Sequence, residues 1–139
     1  MVGFPGETEE MFHELCRFVE KVAFNNLGTF VFSREKGTRA ARFRATVSRD
    51  NALLRQEKIM TLQKDISRRL NRCLVGRTLP VLIEGVSPET DLLLKGRTRT
   101  MAPDVDGQVL INKGEGVTGE IVPVLITEAH EYDLVGEIV

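Results

Sequence analysis

The chain has 139 residues, 42% hydrophobic, 28% charged and 6% aromatic, with no Trp and one Tyr. That composition suits one ordinary globular domain or two small ones, not a disordered or fibrous chain. The formal net charge of −1 hides an asymmetry: residues 1–72 carry 14 Lys/Arg against 9 Asp/Glu, a net of +5, and residues 73–139 carry 5 against 11, a net of −6. Most of the basic excess falls between residues 34 and 72, with 12 basic and 4 acidic side chains. Such a swing points to two modules with different partners. No apolar run approaches the roughly 20 residues of a membrane-spanning helix. MVGFPGETEE has neither the basic nor the apolar region of a secretory signal. Cys16 and Cys73 are too few for a disulfide framework, so the reading is a cytoplasmic protein with no membrane partner.

Residues 1–8, MVGFPGET, read as a strand end turning into a helix, with Gly3 and Gly6 permitting the sharp turn and Pro5 fixing a dihedral between them. Thr8 is placed to cap the helix, and Glu9 and Glu10 complement its dipole. Phe12, Leu15, Val19 and Val22, with Met11 and Phe18 beside them, recur at helical spacing. Residues 27–32, LGTFVF, then read as a buried strand, which makes a βαβ fragment of a parallel sheet. One helix and little more than one strand cannot cover both faces of such a sheet, so the segment reads as cut from something larger.

Residues 33–46 form a basic loop without periodicity. From about residue 48 to 73 the pattern is a long helix whose apolar row is Ile59, Leu62, Ile66, Leu70 and Cys73, stopped by Gly76. Thereafter the period is two. Candidate strands are 78–86, 92–98, 107–112, 120–128 and 132–139, separated by SPETD, MAPDVD, KGEGVTG and AHE. Five short antiparallel strands in that space predict a small OB-like barrel, in which Pro80 and Pro123 must sit where a ladder breaks.

Few constellations carry chemistry by themselves. His13 and Cys16 have a spacing compatible with two metal ligands, but two ligands do not make a site; Cys16 reads as a small core residue and His13 as a surface one. GFPGE lacks the Lys-Ser/Thr of a phosphate loop. PDVDG lacks the remaining ligands of a calcium loop and reads as a turn. No Ser/His/Asp set is present in a motif context. From the residues alone the catalytic and metal sites are both empty.

The order GFPGETEEMFHEL, LGTFVFSREKGTRAA, a long helix ending LVGRT, and a barrel ending AHEYDLVGEIV resembles the C-terminal part of the radical S-adenosylmethionine methylthiotransferases, over essentially the whole chain. The resemblance implies an α+β chain in three parts: residues 1–46 as the last βα elements of the radical barrel, 47–75 as a connecting helix, and 76–139 as a five-stranded OB-like TRAM domain. GRTRTMAPDVDGQVLI and EAHEYDLVGEIV are similar to the branch that methylthiolates an aspartate of a small-subunit ribosomal protein, rather than the branch that modifies tRNA adenosine. Charge agrees, because a module at −6 repels a polyanion and attracts a basic ribosomal protein, which makes tRNA an unfavoured partner.

The family's cofactors are two 4Fe–4S clusters and S-adenosylmethionine. The cluster motif C-x-x-x-C-x-x-C is absent here, so no cluster is expected on this chain alone and the chain alone is expected to be inactive. What the resemblance leaves for the cofactor pocket is one wall made by Gly3, Pro5, Gly6 and Glu7. For the partner, the candidate contacts are Asp104, Asp106, Glu128, Glu131, Tyr132 and Asp133. The alternatives are a fragment of the tRNA-adenosine enzyme and, outside the enzyme class, a non-catalytic binding module.

Overall fold

A computed structural model describes residues 1–44, 46–88 and 90–139. Ala45 of the basic loop and Glu89 of the SPETD turn, both part of the segments read above, lie outside the described residues. The elements in chain order are α1 (Glu9–Val22), a short 3-10 turn (Ala40–Arg42), α2 (Arg49–Arg72) and five strands. The strands are β1 (Thr78–Ser87), β2 (Thr90–Arg97), β3 (Val109–Lys113), β4 (Ile121–Ala129) and β5 (Leu134–Ile138). The chain divides into two compact units, Met1–Ile66 and Ser67–Val139.

In the first unit, the Thr8 hydroxyl accepts the Met11 N–H at 3.2 Å and so caps α1. The helix ends at Ala23, whose left-handed backbone lets its N–H reach the Val19 carbonyl. Phe12 and Val19 are buried, while Met11 and Phe18 stay more than half exposed. The expected strand at 27–32 is reduced to a single parallel bridge between Val2 and Val31. Val2 donates to the Phe30 carbonyl and accepts from Phe32, each at 2.9 Å, and then Gly3, at φ +76°, turns the chain away before the ladder can lengthen. The parallel sense of the fragment survives on that one residue; Phe30, expected inside, is exposed.

The first three-quarters of α2 belong to this unit, and its inner face differs from the apolar row. Ala52, Arg55, Ile59, Gln63 and Ile66 are buried, Leu62 and Leu70 only half so, and Cys73 is exposed. Polar residues occupy the face because the loop carbonyls beside it need donors. Gln56 Nε2 donates to the Thr29 carbonyl at 2.6 Å, and Gln63 Nε2 to the Phe24 carbonyl at 2.7 Å.

The second unit is a closed barrel in the order β1-β2-β3-β5-β4. Four pairings are antiparallel, but β3 and β5 run parallel, with Val109 opposite Leu134 and Ile111 opposite Gly136. This corrects the all-antiparallel expectation, and the reason is parity: strand directions cannot alternate all the way around a ring of five. Closure leaves no open sheet edge to template another chain. Val81 and Ile83 from β1, Val109 and Ile111 from β3, Val124 and Ile126 from β4, and Leu134 from β5 fill the interior, with Met101 closing it. Pro80 and Pro123 stand directly opposite each other. The β1–β2 ladder starts only at Leu82, and the Pro123 carbonyl accepts from Val139, so neither proline is asked for an N–H.

Candidate functional site

The turn at residues 3–7 is held from inside. The Glu7 carboxylate accepts the Gly3 N–H and, through the same oxygen, the Arg55 guanidinium at 3.0 Å. Glu9 pairs with the other Arg55 nitrogen. The Arg55 guanidinium also lies 5.2 Å from the Phe12 ring centroid. Bonding to Glu9 first, and to Glu7 after it, holds the Arg55 guanidinium's pKa above its usual value against the cost of desolvation. Among the described residues, Arg55 Nε is buried and has no hydrogen-bond partner. Sequence reading missed Arg55; the one available signal was a lone Arg four residues before Ile59, on the helix face that the apolar row continues.

A cavity of about 390 Å³ opens beside this turn. Gly3 and Pro5 line it with residues 31–34, Ser48, and Arg49 and Ala52 at the start of α2. Gly6 and Glu7 do not line it: Gly6 donates its N–H to the Thr46 hydroxyl at 2.7 Å, and Glu7 turns to Arg55. Of the four residues expected to form a wall, Gly3 and Pro5 line the cavity, and Gly6 and Glu7 lock the turn instead.

The acidic residues of the barrel fall into distinct settings. Asp104, at φ +57°, sits 3.9 Å from Lys95 Nζ. Asp106 Oδ2 accepts the Ala102 N–H at 2.7 Å, and Asp133 Oδ1 accepts the Gln108 N–H at 2.9 Å. These three carboxylates share one small cavity with Glu84, Lys95 and Arg97. Glu84 is already paired, 2.7 Å from Arg97 Nε. Glu131 and Tyr132 face a second cavity, of about 520 Å³, together with Asp133, His130, Arg68 and Arg72. There Glu131 pairs with Arg68, and Asn71 Nδ2 donates to the His130 and Glu131 carbonyls. Tyr132 is partly exposed, and its carbonyl lies so close to Gly107 that a Cβ there would come within 2.0 Å. Glu128 is exposed on β4 and lines neither cavity. The structure thus brings Asp104, Asp106 and Asp133 together and groups Glu131, Tyr132 and Asp133 with arginines.

The residues present do not fit an iron–sulfur cluster. Cys16 sits on α1 in the first unit and Cys73 beyond α2 in the second, both as free thiols, and among the described residues no three His, Cys, Asp or Glu side chains converge to hold a metal. His13 Nδ1 is 2.8 Å from the Glu9 carbonyl, a local helix contact. Burial pushes the Cys16 thiol above its usual pKa. Among the described residues no helix is long and apolar enough to cross a membrane.

Comparison with known proteins adds two findings. The TRAM domain family model matches residues 75–139. The ribosomal protein uS12 methylthiotransferase RimO of Syntrophobacter fumaroxidans is 53% identical over 138 residues, covering 99% of this chain and 31% of that protein. The RimO proteins of Syntrophotalea carbinolica and Bdellovibrio bacteriovorus are 50% and 47% identical over all 139 residues, which cover 30% of each. The chain therefore spans about three-tenths of the length of the curated relatives it matches. Matched from end to end at about half identity, and with residues 75–139 matched as a TRAM domain, the chain is similar to the TRAM-containing portion of the ribosomal protein uS12 methylthiotransferases.

Proposed function

We propose that this chain is the substrate-holding portion of a cytoplasmic ribosomal-protein methylthiotransferase. In this reading the barrel docks a basic small-subunit ribosomal protein, so that a target aspartate is presented for methylthiolation. The observation that carries it is the charge of the barrel. Residues 73–139 are at −6 within a family whose named relatives act on a ribosomal protein. A module that gripped RNA would need an excess of Lys and Arg to neutralise phosphates. Acidic surface instead accelerates encounter with a basic protein and disfavours a polyanion.

The turn at residues 3–7 is assigned a second role in the complete enzyme, as one wall of the S-adenosylmethionine pocket. Gly3 and Pro5 present backbone and little side chain to a cavity of about 390 Å³, a size ordinary for a small-molecule site. A wall with so little side chain suits the flat adenosine end of such a cofactor. Arg55 and Glu7 hold the turn in place behind it. The radical chemistry of the family belongs to its clusters, for which these residues supply no ligands, so no bond-making step is assigned to them.

The test is a pair of binding isotherms on the intact chain, one with fluorescently labelled uS12 and one with labelled tRNA, at low and at high salt. Binding of uS12 that weakens with salt, with tRNA binding poorly at both, is the expected result. Tighter binding of tRNA would transfer the chain to the tRNA-adenosine reading.

A further inference from the structure

We propose that the basic partner docks on the end of the barrel made by the β1–β2 hairpin and the β3–β4 loop, not on the turns around Asp104 and Tyr132. The inference rests on the reading that the barrel holds a basic protein, and it names the surface and the chemistry of the segment bound.

The turns named from sequence are poor docking sites because their carboxylates are already engaged. Asp106 and Asp133 each cap a backbone N–H, Glu131 pairs with Arg68, and Asp104 shares Lys95 with Glu84. Drawing such a group to a partner forfeits the bond it makes at home.

The opposite setting is found at the hairpin end. The β3–β4 loop lies along β1 there: Gly119 N–H donates to the Ile83 carbonyl and Ile83 N–H to the Glu120 carbonyl, both at 2.8 Å. Ile121 stands opposite Leu82. Four large apolar side chains are open to solvent on these segments: Leu92 at 87%, Ile121 at 70%, Val117 at 66% and Val86 at 54%. Residues 85–94 and 114–121 contain Glu89, Asp91, Glu115 and Glu120 but no Lys or Arg. Glu120 accepts the Val117 N–H at 3.3 Å, but among the described residues neither Asp91 nor Glu115 makes an ion pair, and the two cations that flank these segments are committed elsewhere, Lys95 to Glu84 and Asp104 at 3.9 Å and Lys113 to Glu137 at 3.3 Å. Apolar side chains beside the unpaired carboxylates of Asp91 and Glu115 fit one occupant, a protein segment that alternates Lys or Arg with apolar residues. The apolar groups supply contact area and the carboxylates supply attraction and orientation. A phosphate backbone is repelled at the same place.

The experiment measures affinity of the intact chain for purified uS12, with amide NMR spectra verifying the fold of each variant. Asp91→Lys with Glu115→Lys is expected to weaken binding about tenfold or more at low salt, and by less as salt screens the charges. Leu92→Ser is expected to weaken it at every salt concentration, and being so exposed it leaves the barrel folded. Asp104→Lys with Glu128→Lys is expected to change affinity less than about twofold. If uS12 binds but only the Asp104 and Glu128 variant loses affinity, or no variant does, the docking surface is wrong and the barrel's role stands. If wild-type chain fails to bind uS12 at all, both fall. Displacement of uS12 by tRNA from the unmodified hairpin end would also overturn the proposal.

Discussion

The Glu7 carboxylate lies 3.0 Å from the Arg55 guanidinium, a pair formed across 48 residues of sequence, with side-chain exposures of only 11% and 8%. Removing one partner of a buried pair leaves the other charge uncompensated, and such losses run to about 3–5 kcal/mol. Arg55→Met is therefore expected to destabilise the first unit by about that amount in denaturant titrations. Adding Glu7→Gln should recover part of the loss, although Glu9 still lacks its partner. A single Arg55→Met variant as stable as wild type would show that the pair does not hold the turn.

Gly3 and Gly6 both have positive φ, yet they answer different demands. A Cβ on Gly3 would lie 2.6 Å from the Ala52 Cβ, whereas a Cβ on Gly6 meets nothing within 4 Å. Gly6→Ala is expected to cost only backbone strain, about 1–2 kcal/mol. Gly3→Ala should cost more in the same assay, and Ala52→Gly should return part of the difference. Equal losses at the two positions would remove the close approach from the account.

Helix α1 has a pH-dependent cap. Glu10's own backbone N–H first, and the Thr8 hydroxyl after it, hydrogen-bond its carboxylate and lower its pKa below the usual Glu value. A carboxylate with a lowered folded-state pKa stabilises above its unfolded value and loses that contribution as pH falls through the folded value. An NMR titration should place the Glu10 midpoint below that of an unstructured Glu. Thr8→Ala should move it part of the way back and cost about 1 kcal/mol of stability through the lost cap. A midpoint unmoved by Thr8→Ala would contradict the assignment.

Cys16 should be a slow thiol. Its pKa is raised chiefly by burial, with Lys58 opposing and Glu20 adding to the rise. In a Cys73→Ser background, alkylation of Cys16 is expected to reach half its maximal rate at a pH above that of an ordinary cysteine, about 8.5. A midpoint at or below that value would contradict the burial reading.

The parts of this fold legible in the residue order are those where one local rule dominates. Thr8 before two glutamates marks the start of α1, and the change of period after Gly76 marks the barrel, whose five strands stand where alternation and turn residues place them. Less legible is whatever depends on a remote partner. Arg55 and Gln63 occupy the inner face of α2 because Glu7 and the carbonyl of Phe24 await them, and nothing in a helical apolar row announces that. Residues 27–32 have the composition of a strand but form one bridge, because Gly3 turns away after Val2. For the site, the acidic character of the barrel was visible in the sequence. Which carboxylates are spent on backbone caps and which stay open was not, since Asp106 and Asp91 differ only in what surrounds them.

The central claim is that an acidic barrel captures a basic ribosomal protein, and the association rate tests it most directly. Stopped-flow mixing of the intact chain with uS12 across a salt series should show the rate falling by about tenfold or more as the screening length shrinks from about 30 Å to about 8 Å, because attraction acts mainly on encounter. A rate that stays flat across the series, or tRNA associating faster than uS12 at low salt, would contradict the account.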